Sequence, residues 1–418
     1  MTGSPEPAVN PNGRVVDPPG PVRWLISRVM SRVADPARRA RARAKVEAAR
    51  AKARAPHRVE YFHQFDDPYS HLAQQTLERL QERYDIELVV HSIRGTGGAH
   101  QPELEQLAVW AARDADMIAP HYGLTPPSRM EAKNDQSADQ AKLDEGSNRL
   151  AALGHYSGAM FYYGGEWYWG VDRLFYLERR LRDLGACLDP SMPFICPRPP
   201  IDISGVDARG LTLDFYPSLN SPYTAIIFDK TIEMARECGI TLNHKPVLPM
   251  LMRGLPVPRK KGAYIVFDTA REAEYLGVPF GNLVFPVGQP TRNIYALLPW
   301  ARRQGKDIAL LSAALRLAFA EGVGLHRTDG LRMAVEHAGL DWSEARNRWD
   351  DQAWLEETAG YQQEMTQGLG LWGVPSYRLQ GGDGEPDLCV WGQDRLWLIA
   401  AEIRRRSMDL NRSQAASA

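Results

Sequence analysis

Leu213-Asp214-Phe215-Tyr216, followed after four residues by Ser221-Pro222-Tyr223-Thr224, is the stretch on which the fold turns. Its first four residues read as a short β-strand. The second four read as a helix start, because Ser is a favoured N-cap and Pro fits the first helical position. The same pair stands earlier in the chain with the same spacing, Val59-Glu60-Tyr61-Phe62 leading into Asp67-Pro68-Tyr69-Ser70. A strand, a loop and a capped helix are therefore encoded twice.

Two more blocks repeat in the same order, which makes the repeat the strongest signal in the chain. Ala112 to Leu124 pairs with Val266 to Val278, and each carries an Asp nine residues ahead of a Gly. Each reads as a helix closed by a C-terminal glycine. Gly154 to Gly165 pairs with Gly370 to Gly381. These run on to Trp169-Gly170-Val171-Asp172-Arg173-Leu174 and Trp391-Gly392-Gln393-Asp394-Arg395-Leu396. That is a hairpin followed by a final helix. Each copy is thus β-α-β, a helical stretch, then β-β-α. The helical stretch is long in the second copy, with helical periodicity over residues 291–366 through Ala313, Leu315, Ala318 and Phe319. In the first copy, about residues 127–152, it is short and polar.

Composition agrees with two globular cores. The chain has 418 residues, 44% hydrophobic and 24% charged, and a single core stops growing at roughly 250–300 residues. The net charge is −1, but residues 22–58 carry twelve Arg/Lys against two acids. No uniform basic surface follows, so nucleic acid is not an expected partner. The four cysteines, Cys187, Cys196, Cys238 and Cys389, include no Cys-x-x-Cys and no zinc spacing. They read as isolated thiols in a reducing compartment. His63, Asp66, Asp67 and His71 form a polar cluster, read as a capping Asp with exposed neighbours rather than a metal site. No apolar run approaches the roughly 20 residues of a membrane span. Arg23, Arg28 and Arg32 interrupt every candidate signal sequence, so the cytoplasm is the expected location.

The expected organisation is as follows. Residues 1–57 are a disordered tail and a basic amphipathic arm, the tail covering residues 1–21. The first repeat occupies 58–187, a Pro-rich linker 188–210, the second repeat 211–405 and a disordered tail 406–418. In the arm, Val22, Leu25, Ile26, Val29, Met30 and Val33 line one helical face, with Arg23, Arg28 and Arg32 on the other. Residues 22–54 dock on the acidic body of the protein or attach peripherally to an anionic membrane, with nucleic-acid contact the remaining alternative. Their composition adds little to either core, so they are expected to be dispensable for folding.

The second repeat resembles the 2-hydroxychromene-2-carboxylate isomerases and kappa-class glutathione transferases. The matching pieces are Asp214-Phe215-Tyr216 with Ser221-Pro222-Tyr223, and Lys261-Gly262-Ala263-Tyr264 with Asp268. They continue with Ala320-Glu321-Gly322, Gly373-Val374-Pro375-Ser376-Tyr377 and Gly392-Gln393-Asp394-Arg395. They run in family order over nearly all of 211–405, and the first repeat resembles the family more faintly. The resemblance implies an α/β chain of two thioredoxin-like (DsbA-like) domains, each with a helical insertion, behind a basic helical arm. It implies glutathione as cofactor and a conjugated, aromatic-derived electrophile as the small-molecule substrate. The two domains would pack as an intramolecular pseudo-dimer.

The resemblance also assigns roles. Ser221 would contact the glutathione sulfur at a helix N-terminus, where the dipole favours a thiolate. Pro222, Tyr223 and Lys261 would belong to the same site. Pro375 would be cis, leaving the backbone of Val374 to hold the cysteinyl unit. Gln393 and Asp394 would bind the γ-glutamyl end, Asp394 facing its ammonium group. Several residues depart from the pattern. Arg253 to Lys261 lacks the family's Asn, and position 393 is Gln where Ser is usual. In the first repeat Asp67 replaces the Ser and Ala159 replaces the cis-Pro, so that half is not expected to activate a thiol. The alternatives are a non-catalytic scaffold of this fold, or a DsbA relative without thiol exchange.

Overall fold

The computed structural model describes residues 16–95, 100–130, 139–382 and 384–417. Part of the helical stretch expected at about 127–152 lies outside them, as does most of the expected N-terminal tail. The chain forms two compact units. One spans Ala37–Pro200; the other runs from Ile201 onward and takes in the chain up to Pro36.

The basic arm is divided between these units. Helix α1 covers Gly20–Ala34 and helix α2 covers Pro36–Ala53. They part at Asp35, which precedes a proline and is extended, at ψ 113°. α1 packs on the later unit with its polar face, reversing the usual sense of an amphipathic helix. Arg23 is buried, donating to the Phe285 carbonyl at 2.5 Å and pairing with Asp17 at 2.7 Å. Ser27 and Ser31 accept the backbone N–H groups of Phe285 and Leu283 at 3.3 and 2.9 Å. Backbone groups of Leu283 and Phe285 need partners, and the side chains that satisfy them sit on that face. The arm, expected to add little to either core, gives the later unit these buried polar contacts through α1.

In the middle unit, strand β1 (His57–Gln64), helix α3 (Pro68–Gln74), helix α4 (Leu77–Arg83) and strand β2 (Ile86–Ile93) come first. Helices α5 (Leu104–Ile118) and α6 (Gln140–Ala152), strands β3 (Met160–Tyr163) and β4 (Glu166–Trp169) and helix α7 (Gly170–Asp183) follow. The sheet order is β2-β1-β3-β4, with β1 parallel to β2 and the other pairs antiparallel. α6 covers the edge strand β2 so closely that any side chain at Gly146 would strike the Ser92 carbonyl. Buried Glu60 is held by Arg149 at 2.6 Å and His91 at 2.9 Å. α2 is held to this unit by Arg43, which grips buried Glu166 through two bonds of 2.5 and 2.7 Å. Within the expected linker, Ile195 and Cys196 are buried, and the Ile195 N–H donates to Glu178 at 2.9 Å.

The later unit begins with strand β5 (Thr212–Tyr216), helix α8 (Pro222–Cys238), strand β6 (Thr241–His244) and helix α9 (Arg259–Leu276). The helical insertion comprises α10 (Gln289–Arg303), α11 (Asp307–Arg316), α12 (Thr328–His337), α13 (Trp342–Ala345) and α14 (Ala353–Gln363). Strands β7 (Ser376–Leu379) and β8 (Leu388–Trp391) and helix α15 (Leu396–Ser417) close it. The sheet order is β6-β5-β7-β8, again with one parallel pair. Phe215 and Tyr377, directly opposed across β5 and β7, stack at 5.1 Å in the core. α15 runs on through the expected tail, because buried Arg406 bonds Glu402 and the carbonyls of Gln380 and Pro386.

Candidate functional site

The site is built where the start of α8 meets the entry to β7. Ser221 caps α8, its Oγ accepting the Thr224 N–H at 3.1 Å, and Pro222 takes the first helical position. The Ser221 hydroxyl donates to the Val374 carbonyl at 3.3 Å. The Val374–Pro375 peptide bond is cis. Gly373 precedes it because the Trp391 ring fills the space a side chain would need. The Gly392 N–H donates to the Pro375 carbonyl at 2.9 Å, which brings Gln393 and Asp394 to the same corner. Ser221, Val374, Pro375, Gln393 and Asp394 are therefore gathered around one proline.

The loop ahead of Ser221 is set by the helical insertion. Tyr295 of α10 is fully buried. Its hydroxyl accepts the Leu219 N–H at 3.2 Å and donates to the Val247 carbonyl at 2.9 Å. Burial pushes this phenol well above its ordinary pKa, so it stays a neutral donor.

α9 forms the other wall. Lys261, Tyr264, Asp268 and Glu272 fall on one stripe of this helix. Tyr223 donates to Asp268 at 2.8 Å, and Arg271 pairs with the same carboxylate at 2.5 Å. The Gln393 amide donates to Glu272 at 2.8 Å. One helix face thus braces both the start of α8 and the residues after β8. Burial lowers the Lys261 ammonium to about 8.

Arg253 escaped assignment from sequence. Arg253, in a short 3-10 turn (Met250–Arg253), donates to the Trp372 carbonyl at 2.7 Å, two residues before Val374. Burial lowers its guanidinium to about 10, opposed only by Tyr295 among the described residues. Its Nε is buried with no hydrogen-bond partner among the described residues, and so are Asn220 Oδ1 and Gln393 Oε1. Such groups are costly to bury unless something completes them. The only sequence signal for Arg253 was a cation in an otherwise apolar, Pro-rich loop.

In the middle unit the start of α3, which the sequence repeat aligns with the start of α8, is built differently. Asp67 caps α3 through the Tyr69 and Ser70 N–H groups at 3.3 and 3.0 Å and accepts the Ser70 hydroxyl at 2.7 Å. Burial raises this carboxyl to about 6. His71 bonds the Phe65 carbonyl at 2.7 Å. Ala159, which the sequence repeat aligns with the proline, has φ +56°. Of the cysteines, Cys196, Cys238 and Cys389 are buried, and burial drives the Cys196 and Cys238 thiols upward in pKa.

Residues 212–404, a little under half the chain, match the DSBA-like thioredoxin domain family. No curated protein matches this sequence. Among solved structures, a 2-hydroxychromene-2-carboxylate isomerase is 21% identical, covering 50% of this chain and 99% of its own, with a TM-score of 0.40. A probable DsbA oxidoreductase from Streptomyces coelicolor is 19% identical over 48% of this chain and 90% of its own, with a TM-score of 0.38. The cytosolic disulfide reductase DsbM from Pseudomonas aeruginosa, solved with GSH, is 17% identical over 48% of this chain and all of its own, with a TM-score of 0.36. The solved neighbours thus include both an isomerase and disulfide oxidoreductases. No helix among the described residues is long and apolar enough to cross a membrane. Residues 212–404 form a DsbA-like thioredoxin domain.

Proposed function

We propose that the later unit binds glutathione and uses its thiol in isomerase or transferase chemistry on a conjugated, aromatic-derived electrophile. One observation carries this: the Ser221 hydroxyl, at the N-terminus of α8, sits 3.3 Å from the carbonyl ahead of the cis proline. Its lone pair caps Thr224, while its O–H is held only by a long bond. The hydroxyl hydrogen is therefore able to turn toward an anionic sulfur without loss of the cap.

The side chains around it suit a zwitterionic tripeptide. Arg253 and Lys261 are desolvated cations, and a carboxylate ligand offsets that cost. We assign Arg253 to the glycyl carboxylate, where the family's Asn is missing. Asp394 faces the ammonium end, beside Gln393. When bound, glutathione supplies a nucleophilic thiolate that adds reversibly to a conjugated double bond. Ser221 and the first N–H groups of α8 stabilise negative charge at the sulfur. The insertion helices hold the loop before Ser221 rigid through Tyr295.

We further infer that the middle unit is a degenerate copy of the same fold. Three matched details support this. Tyr69 donates to Asp114 at 2.7 Å as Tyr223 does to Asp268. The Gly170 N–H donates to Ala159 as Gly392 does to Pro375. The Gln64 N–H donates to Ser70 as Ser218 does to Thr224. Its Asp67 opposes a thiolate by charge, so glutathione binds only the later unit.

A non-catalytic scaffold is the competing reading, favoured by the Ser221 hydroxyl already being satisfied within the protein. Calorimetric titration of the full chain with glutathione separates the two. One site per chain is expected; no heat at millimolar glutathione would remove the enzyme reading.

A further inference from the structure

Helix α1 shows solvent the face a globular protein normally hides. Trp24 is 60% exposed, Leu25 56%, and Val22, Ile26 and Val29 each 43–44%. Successive residues turn by about 100°, so Val22, Leu25, Ile26 and Val29 share one outward strip. Arg28 and Arg32 lie along its flank, next to Trp24, and the Arg28 guanidinium sits over the Trp24 ring at 5.3 Å. The inward face is fixed by Arg23, Ser27 and Ser31, as described above. α1 cannot rotate its apolar side inward without losing those bonds.

The charge on this face selects its occupant. Between Pro18 and Ala34 there is no acid, whereas Arg28 and Arg32 flank the strip. A second copy meeting this face about a two-fold axis would set Arg28 and Arg32 against their own counterparts, which repel. An anionic bilayer offers the opposite: phosphates for the arginines and acyl chains for the apolar strip. Fifteen helical residues make a helix of roughly 22 Å, too short to span a membrane. It suits a position in the plane of the interface.

We propose that α1 is an interfacial anchor that docks the later unit on anionic membrane. Val22, Leu25, Ile26 and Val29 enter the acyl boundary, and Arg28 and Arg32 pair with lipid phosphates. The anchor is independent of the glutathione reading.

The test is co-sedimentation of the full chain with phosphatidylcholine vesicles, with and without phosphatidylglycerol. Sedimentation with the mixed vesicles only is expected, weakening as salt rises. Leu25→Ser with Val29→Ser should lower the partition by about tenfold or more. Arg28→Glu with Arg32→Glu should abolish the preference for phosphatidylglycerol. These exposed substitutions leave the docked face intact, and circular dichroism checks that each variant is folded. No sedimentation with either vesicle, or undiminished binding by the Leu25/Val29 variant, overturns the proposal. A dimer in light scattering that this variant turns to monomer, without vesicle binding, would also overturn it and assign the face to a second copy.

Discussion

Ser221 and Val374, 153 positions apart in sequence, are joined by a hydrogen bond of 3.3 Å from the serine hydroxyl to the valine carbonyl. The bond ties the N-terminus of α8 to the residue preceding the cis proline. The same oxygen caps α8 through Thr224. Ser221 is therefore structural and, in the proposed function, chemical at once.

These two roles separate under mutation. Ser221→Ala should cost roughly 0.5–2 kcal/mol of stability through the lost cap. It should also raise the pKa of bound glutathione, because a donor to the thiolate is removed. Thiolate absorbance followed against pH in both proteins reads the second effect. Coincident titration curves would leave Ser221 with the cap alone.

Arg253 answers a different question. If it receives the glycyl carboxylate, Arg253→Gln should weaken glutathione binding about ten- to a hundredfold, the range for a hydrogen bond to a charged group. Glutathione esterified at the glycyl carboxylate should bind the wild type weakly. The variant should not distinguish ester from acid. Equal losses for both ligands in the variant would place Arg253 elsewhere.

Lys261 gives a pH signature of folding. Its folded value of about 8 lies below the ordinary 10.5 because burial disfavours the ammonium. Between these values the unfolded chain binds more protons than the folded one, so this group makes stability rise with pH across that window. Below about pH 8 both states are protonated and the burial cost is present in full. Lys261→Met should therefore be more stable than wild type at neutral pH, and the gap should close toward pH 10.5. Parallel stability profiles from denaturant titration would contradict this.

Removing the arm should destabilise the later unit. A chain starting at Arg58 loses Arg23, Ser27 and Ser31, which satisfy backbone groups of Leu283 and Phe285. It also strips Arg43 from buried Glu166 in the middle unit. A fall in melting temperature of roughly 5 °C or more is expected, the shift that about 2 kcal/mol makes in a domain of this size. An unchanged transition by calorimetry would mean that the arm contributes nothing.

The sequence by itself determined the element order, because its signals are local. Ser221-Pro222 and Asp67-Pro68 mark helix starts, and Gly277 and Gly123 mark helix ends. Both glycines adopt the left-handed conformation, at φ 67° and 65°, that favours this residue. The motifs around Ser221, Pro375 and Gln393 were legible for the same reason, although they lie far apart in the chain. Only the tertiary structure decided what met across those distances. Arg253 reaching the Trp372 carbonyl, Glu272 holding Gln393 and Tyr295 fixing the loop before Ser221 are contacts between segments whose spacing carries no period. The orientation of α1 shows the limit most clearly. Periodicity located its apolar stripe, but burial was decided by backbone groups of Leu283 and Phe285. The Val284 N–H is met by the Ala318 carbonyl, whereas the Leu283 N–H and both Phe285 groups take partners from the polar face of α1.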